Sequence, residues 1–479
     1  MITRLPGTFR HSSSEKQGPM NSKSLLLISV LLSLFLIGCS DKKETPVPEK
    51  PANEFILPDP PQYGSPFPDV PATEDIVMYE VNLRAFSPAN IQGVINKLDH
   101  IRSLGVNVVW LMPVFPIGTV NSVNSPYCVK NYRQVNQEFG TLTSLRTLTD
   151  QAHQRGMAVI LDWVANHTAW DNPWMKYTAW YTMENGVVIH PAGTNWQDVA
   201  DLNFNSADMR KAMISAMKYW VFDANVDGFR CDAADMVPFD FWKQAIDSMN
   251  AIPGREIIML AEGARSDHFT AGFQMNYAWD FYGKLKAVFS GQPASGLFTT
   301  HTSEYNSIPA GKHKLRFTTN HDESAWDATP VTLFGGTKGA LAAQVIATYM
   351  GGVPMIYGSQ EVGRANTLPF FTNSPVNWSE NPDMLAAYKD FMDFYVTSDA
   401  ARKGTLVSYP YTDVCIFTRT AGTEEILVMV NVRNSAVTFD FPPALAAGRW
   451  ENFPDKSGLI PGNAITLEPY AYIIGSRVN

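Results

Sequence analysis

Asp227-Gly228-Phe229-Arg230-Cys231-Asp232-Ala233-Ala234-Asp235 begins as a short apolar strand and ends by presenting charge. On a β-strand, residues two apart project from the same face, so Arg230 and Asp232 point the same way. Cys231 then points outward, toward covering helices, as a small buried apolar group. A guanidinium beside a carboxylate lowers the pKa of the acid, which suits a nucleophilic carboxylate at neutral pH. Interior Arg–Asp pairs also serve architecture, and the segment alone leaves both readings open.

Three other segments have the same form: Ala158 to His167, Ile257 to Gly263, and Arg316 to Glu323. Each is an apolar run ending in groups able to do chemistry, namely Asp162, Asn166 and His167, then Glu262, then Asn320, His321 and Asp322. Four such strands with helical segments between them describe one catalytic rim at the C-terminal ends of a parallel (β/α)8 barrel. The remaining strands are read at Ile76 to Val81, Val106 to Met112, Gly272 to Trp279 and Val353 to Gly358, with one helix carrying Ile91, Val94, Leu98 and Ile101.

The chain has 479 residues, enough for a large barrel and a smaller companion domain. A net charge of -9 argues against nucleic acid or an anionic membrane surface as main partner. The four cysteines, Cys39, Cys128, Cys231 and Cys415, lie far apart without metal-ligand spacing, so no disulfide framework follows from them.

Residues 1–39 read as a signal peptide, with Met20 as a second possible start and an apolar core from Leu25 to Ile37. Leu36-Ile37-Gly38-Cys39 resembles a bacterial lipoprotein processing site, which implies a lipid on Cys39, membrane attachment and a cell-envelope location. Nine prolines between Lys42 and Pro71 make residues 40–72 a linker of extended conformation. The barrel is assigned to 73–396 and interrupted at about 168–205 by an irregular segment holding Trp170, Trp174, Tyr177, Trp180, Tyr181 and Trp196. Segments of that length inside a domain are usually functional; these aromatics suit either sugar stacking or a small local core. Short alternating runs across 397–479 read as an antiparallel β-sandwich.

At this point the residues resemble a known family, the α-amylase family of glycoside hydrolases (family thirteen). The matching motifs are Asp162 to His167, Gly228 to Asp232, the Glu262 segment and Asn320 to Asp322. They are joined by Gly105 to Pro113, Ser125 to Tyr127, Asn131-Tyr132 and Ala200 to Asn203. The resemblance implies a (β/α)8 barrel, a B domain after strand three and a C-terminal β-sandwich. It further implies retaining cleavage of α-1,4 bonds in starch-derived oligosaccharides, with Asp232 as nucleophile, Glu262 as acid/base and Asp322 as third carboxylate. Arg230, His167, His321 and Tyr127 match groups around the sugar just before the cleaved bond.

A retaining enzyme needs its two carboxyls roughly 5 to 5.5 Å apart. Burial is expected to hold the pKa of Glu262 up, with no basic neighbour before Arg265, while Arg230 holds that of Asp232 down. A calcium ion, also implied by the resemblance, would take Asn166, Asp201 and the carbonyl of Met236. The family often has lysine and histidine three and four residues after the nucleophile, and an aromatic after the acid. Here Asp235, Met236 and Gly263 stand in those places. The alternatives are therefore an enzyme acting on α-1,6 or cyclic substrates or transferring sugars, and a non-catalytic glucan-binding homologue.

Overall fold

Eight short strands, each flanked by helix-forming sequence, close into a barrel in the computed structural model. It describes residues 54–446, 448–453, 455, 457–459 and 464–478. The strands are β1 (Met78–Val81), β2 (Val108–Leu111), β3 (Ala158–Trp163), β4 (Gly228–Cys231), β5 (Ile258–Ala261), β6 (Met275–Tyr277), β7 (His313–Arg316) and β8 (Val353–Tyr357). They pair in chain order, all parallel, with β8 returning to β1. Strands buried on both faces read as continuous apolar runs, and β1, β2, β3, β4 and β8 are buried at every residue. Met78, Trp110, Ile160, Leu260, Tyr277 and Met355 belong to the cluster inside the barrel. Residues of alternate phase on the same barrel, including Tyr79, Val109, Leu161, Phe229 and Met259, pack with the helices outside.

The expected order of elements is present, with shorter strands and two local differences. The helix expected over Ile91 to Ile101 is two pieces, Ile91–Ile95 and Leu98–Arg102. β7 ends at Arg316, six residues before Asp322, and Asn320 caps a new helix, His321–Trp326, by accepting the Glu323 N–H. Asp322 is therefore a first-turn helical residue, favoured there by the positive end of the helix dipole.

The segment after β3 folds on itself through an antiparallel pair, His167–Ala169 with Val199–Asp201. Trp174, Tyr177, Trp180 and Tyr181 are buried. Three of these rings surround Phe55, with centroids 6.2, 6.0 and 6.0 Å away for Trp174, Tyr177 and Trp180. They form a local core and are not available for stacking against sugar, which leaves Trp170 and Trp196 half-buried.

Residues 54–72, assigned from composition to the linker, lie along the barrel. The Tyr63 N–H donates to the Phe222 carbonyl and its hydroxyl to Asp150 at 2.7 Å. Phe67 lies flat on His153, centroids 4.4 Å apart, and joins the barrel-interior cluster. Buried aromatic area outweighs a proline-rich composition here. The expected signal, the Cys39 site and residues 40–53 lie outside the described residues.

Beyond the barrel a six-stranded antiparallel sheet runs in the order Thr405–Pro410, Val414–Ala421, Glu424–Asn431, Tyr472–Val478, Arg449–Asn452, Gly458–Leu459. A two-stranded sheet, Val437–Asp440 with Ala464–Leu467, packs against it through Phe439 and Leu467.

Replacing Phe67 with Ala is expected to cost about 3 kcal/mol, the range for emptying a buried aromatic site. Urea unfolding followed by circular dichroism measures it. A midpoint equal to wild type shows that residues 54–72 are not part of the folded unit.

Candidate active site

Asp162 and Arg230 are register partners on β3 and β4, so their side chains leave the sheet together at the top of the barrel. Gly228 makes the next strand's approach possible: a Cβ there would lie 2.0 Å from the Ile258 carbonyl oxygen. Arg230 is fully buried. Its Nη1 donates to Asp162 Oδ1 at 2.8 Å and to Asp232 Oδ1 at 3.1 Å. Nη2 is ion-paired with Glu262 Oε2 at 3.0 Å, and Nε donates to the Tyr277 hydroxyl. The Trp110 ring lies over the guanidinium, with its centroid at 5.0 Å.

Asp232 follows β4 directly, and the chain then turns through Ala233 in the left-handed region at φ 44°. This turn aims the Ala233 N–H at Glu262 Oε2, 2.7 Å away. The third carboxylate, Asp322, sits 3.4 Å from His321 Nε2.

His321 Nδ1 is 2.5 Å from Glu80 Oε1, and Nε2 is 2.8 Å from the Tyr127 hydroxyl. That hydroxyl donates to Asp162 Oδ2 at 3.0 Å, beside the Trp110 indole N–H at 3.1 Å. One chain of hydrogen bonds thus runs from Glu80 through His321, Tyr127 and Asp162 to Arg230. Tyr127 stacks on His321 with centroids 5.2 Å apart. His167 is buried, with Trp196 against its ring at 5.4 Å.

Asp232, Glu262, Asp322, Arg230, His321 and Tyr127 lie together at one end of the barrel, with His167 shortly after the end of β3. A model of the alpha-amylase catalytic domain matches residues 62–187 and 193–407. The chain belongs to the alpha-amylase family. Alpha-amylase 3 of Dictyoglomus thermophilum is 26% identical over 373 residues, 67% of this chain and 70% of that protein. Alpha-amylase MalA of Haloarcula japonica is 25% identical over 400 residues, which cover 78% of this chain and only 58% of the relative. The crystal structure of an alpha-amylase from Lactobacillus plantarum superposes with a TM-score of 0.76 at 26% identity, over 85% of this chain and 99% of that one. Glycoside hydrolysis of α-glucans is the activity of this alpha-amylase family.

Charge in this alpha-amylase rim departs from the sequence expectation at two points. Asp232 is pushed well above the usual carboxylate range, by burial first and then by the negative charge of Glu262, against the pull of Arg230. Glu262 does have a basic neighbour, since Arg230 reaches it across the strand pair. One guanidinium is shared by both acids, so Arg230 does not single out Asp232. His167 is driven down to about 3 by burial and is neutral. For His321 burial acts downward, but the charges of Asp322 and Glu80 outweigh it and raise its pKa to about 9. It is therefore an imidazolium that donates from both nitrogens.

The departures after the nucleophile and the acid are one structural feature. The Asp235 carboxylate accepts the N–H groups of Ala264 at 3.1 Å and Arg265 at 3.2 Å. A Cβ on residue 263 would lie 2.3 Å from its Oδ1. Asp235 therefore requires Gly263, and neither place carries the lysine or the aromatic ring that the resemblance implies. Met236 beside them is exposed.

The calcium expected from the resemblance would take the Asn166 amide oxygen, the Asp201 carboxylate and the Met236 carbonyl. The Asn166 amide nitrogen lies 3.3 Å from His167 Nδ1. Asp201 is raised by burial, toward its neutral form, and is bonded by Thr182. No step below passes through a metal.

The sequence placed Asp162 on the rim without giving it a role, and passed over Glu80, Trp110 and Tyr277. Glu80 was detectable: it sits in the apolar run of β1, in phase with inward-facing Met78, and a carboxylate there requires a partner.

His321 also sets a pH dependence. Its ordinary pKa of 6.5 rises to about 9 on folding, so the folded state binds more protons between those values. Its stabilisation is complete below 6.5 and is lost as the pH rises through 9. The melting temperature is expected to fall between pH 7 and 10 more steeply in wild type than in His321→Gln. Parallel curves would show that another group titrates.

Proposed function

We propose that the chain hydrolyses α-1,4-glucosidic bonds of starch-derived or malto-oligosaccharides with retention, with Asp232 as nucleophile, Glu262 as acid/base and Asp322 holding the sugar. The observation that carries this reading is the single Arg230 guanidinium joining carboxylates at the ends of adjacent strands β4 and β5. Retaining cleavage uses one of these two acids with its proton and the other as a carboxylate. With that proton on Glu262, the acid protonates the glycosidic oxygen while Asp232 attacks the anomeric carbon. The bond to the leaving sugar breaks and a glycosyl ester on Asp232 forms. Glu262, now a carboxylate, takes a proton from water, whose oxygen displaces Asp232 and restores both groups. Doubly donating His321, Arg230 and the Tyr127 ring line the place of the reacting sugar, and Asp322 accepts from its hydroxyls.

The Asp235–Gly263 pair favours a second reading of the same chemistry, on α-1,6 or cyclic substrates or by transfer, because it removes contacts from the acceptor side. A non-catalytic glucan binder is disfavoured, since all three carboxylates are in place. Product analysis on maltooligosaccharides, pullulan and cyclodextrin side by side separates the readings.

Asp232→Asn is expected to lower kcat roughly a thousandfold or more, the scale for losing one member of a catalytic unit. A value within about tenfold of wild type rejects the nucleophile assignment. Glu262→Gln is expected to retain activity preferentially on aryl glycosides, whose activated leaving groups need little protonation. Equal losses on aryl and sugar leaving groups would remove it as the acid.

We further propose, from the sequence motif at Leu36 to Cys39, that Cys39 carries lipid and attaches the enzyme to a membrane of the cell envelope. Cys39→Ala is expected to move the protein out of the membrane fraction or leave it unprocessed. Unchanged fractionation and processing rejects the anchor.

A further inference from the structure

Trp326 is 47% exposed, although it lies one helical turn after Asp322 and so on the same side of the helix. Its ring meets Phe370 edge-on at 5.6 Å and Phe371 at 5.7 Å, and those two rings are 4.7 Å apart. Phe370 in turn packs edge-on against His321 at 5.7 Å and Tyr127 at 6.1 Å. An unbroken aromatic path therefore leads from the catalytic rim to an exposed indole.

The path is rigidly backed. Buried Arg84 donates to the Phe370 carbonyl at 2.7 Å and to the Asn124 carbonyl at 3.0 Å. Asn124 donates to the Phe371 carbonyl. A loop that presented these rings by chance would not need a buried guanidinium to fix its backbone. Beside Trp326, the exposed Lys286–Asp327 pair, 2.8 Å apart, supplies polar groups. A flat apolar face with polar neighbours suits a pyranose ring, whose axial C–H groups form an apolar face and whose hydroxyls project sideways.

We propose that Trp326, with Phe371 beside it, is a stacking ledge for glucan rings on the non-reducing side of the reacting sugar. The side follows from the rim: the ledge rises from the segments after β7 and β8, next to Asp322, His321 and Tyr127. The acid Glu262 and the acceptor-side Asp235 belong to β5 and β4. The ledge gives the enzyme a preference for chains long enough to reach it, and this rests on the hydrolysis reading above.

The test compares kcat/KM on maltoheptaose and maltotriose for wild type, Trp326→Leu and Trp326→Tyr. Leucine keeps the bulk but not the flat face. It is expected to lower the maltoheptaose-to-maltotriose ratio about tenfold, mainly through KM, as truncated aromatic anchors do. Tyrosine is expected to keep the ratio within about threefold of wild type, because it retains a ring face. A leucine ratio within about twofold of wild type, an equal loss on both substrates, or a tyrosine variant as impaired as leucine overturns the ledge alone. Wild type that cuts neither oligosaccharide overturns the hydrolysis reading and the ledge with it.

Discussion

A single buried cation organises this molecule. Arg230 has no access to water, and every carboxylate within reach of it, Asp162, Asp232 and Glu262, comes from a different point on the barrel rim. Removing one partner from a buried ion pair typically costs about 3–5 kcal/mol, because the other charge is left uncompensated. The barrel must therefore close with β3, β4 and β5 in one register. A slip of one residue would turn Arg230 into the helical layer, where nothing could pair with it. The catalytic carboxylates and the fold are specified by the same contact.

Around that cation the polar groups are arranged as a relay of fixed donors. His321, held charged by Asp322 and Glu80, donates toward Tyr127, which donates to Asp162. Asp162 is thereby satisfied on both oxygens and can stay buried beside Arg230. Preorganised donors of this kind need no rearrangement when charge develops on a bound sugar.

Much of this was legible in the sequence, for physical reasons. Apolar runs ending in Asp162, Asp232 and Glu262 announce strands that deliver charge to a rim, since a buried strand tolerates charge only where it meets a partner or leaves the core. Asp322 was less legible as structure: the apolar Leu315 and Phe317 suggest a strand reaching farther, and Asn320 gives it over to a helix cap instead. The electrostatics were not readable at all from local neighbours. Glu262 receives its basic contact from the adjacent strand, and burial of Asp232 outweighs the arginine two residues away. The partnership of Asp235 with Gly263 was equally hidden, because it joins residues 28 apart through the loss of a side chain.

The place of Phe55 carries a consequence for how this enzyme is handled. The ring sits among Trp174, Tyr177 and Trp180, ahead of residue 62, where the recognisable catalytic domain begins. A chain shortened to that boundary keeps every catalytic group but uncovers three large aromatic faces in the segment after β3. Contiguous apolar surface of this kind drives self-association, so the shortened enzyme would fail first in solubility, with its chemistry still intact.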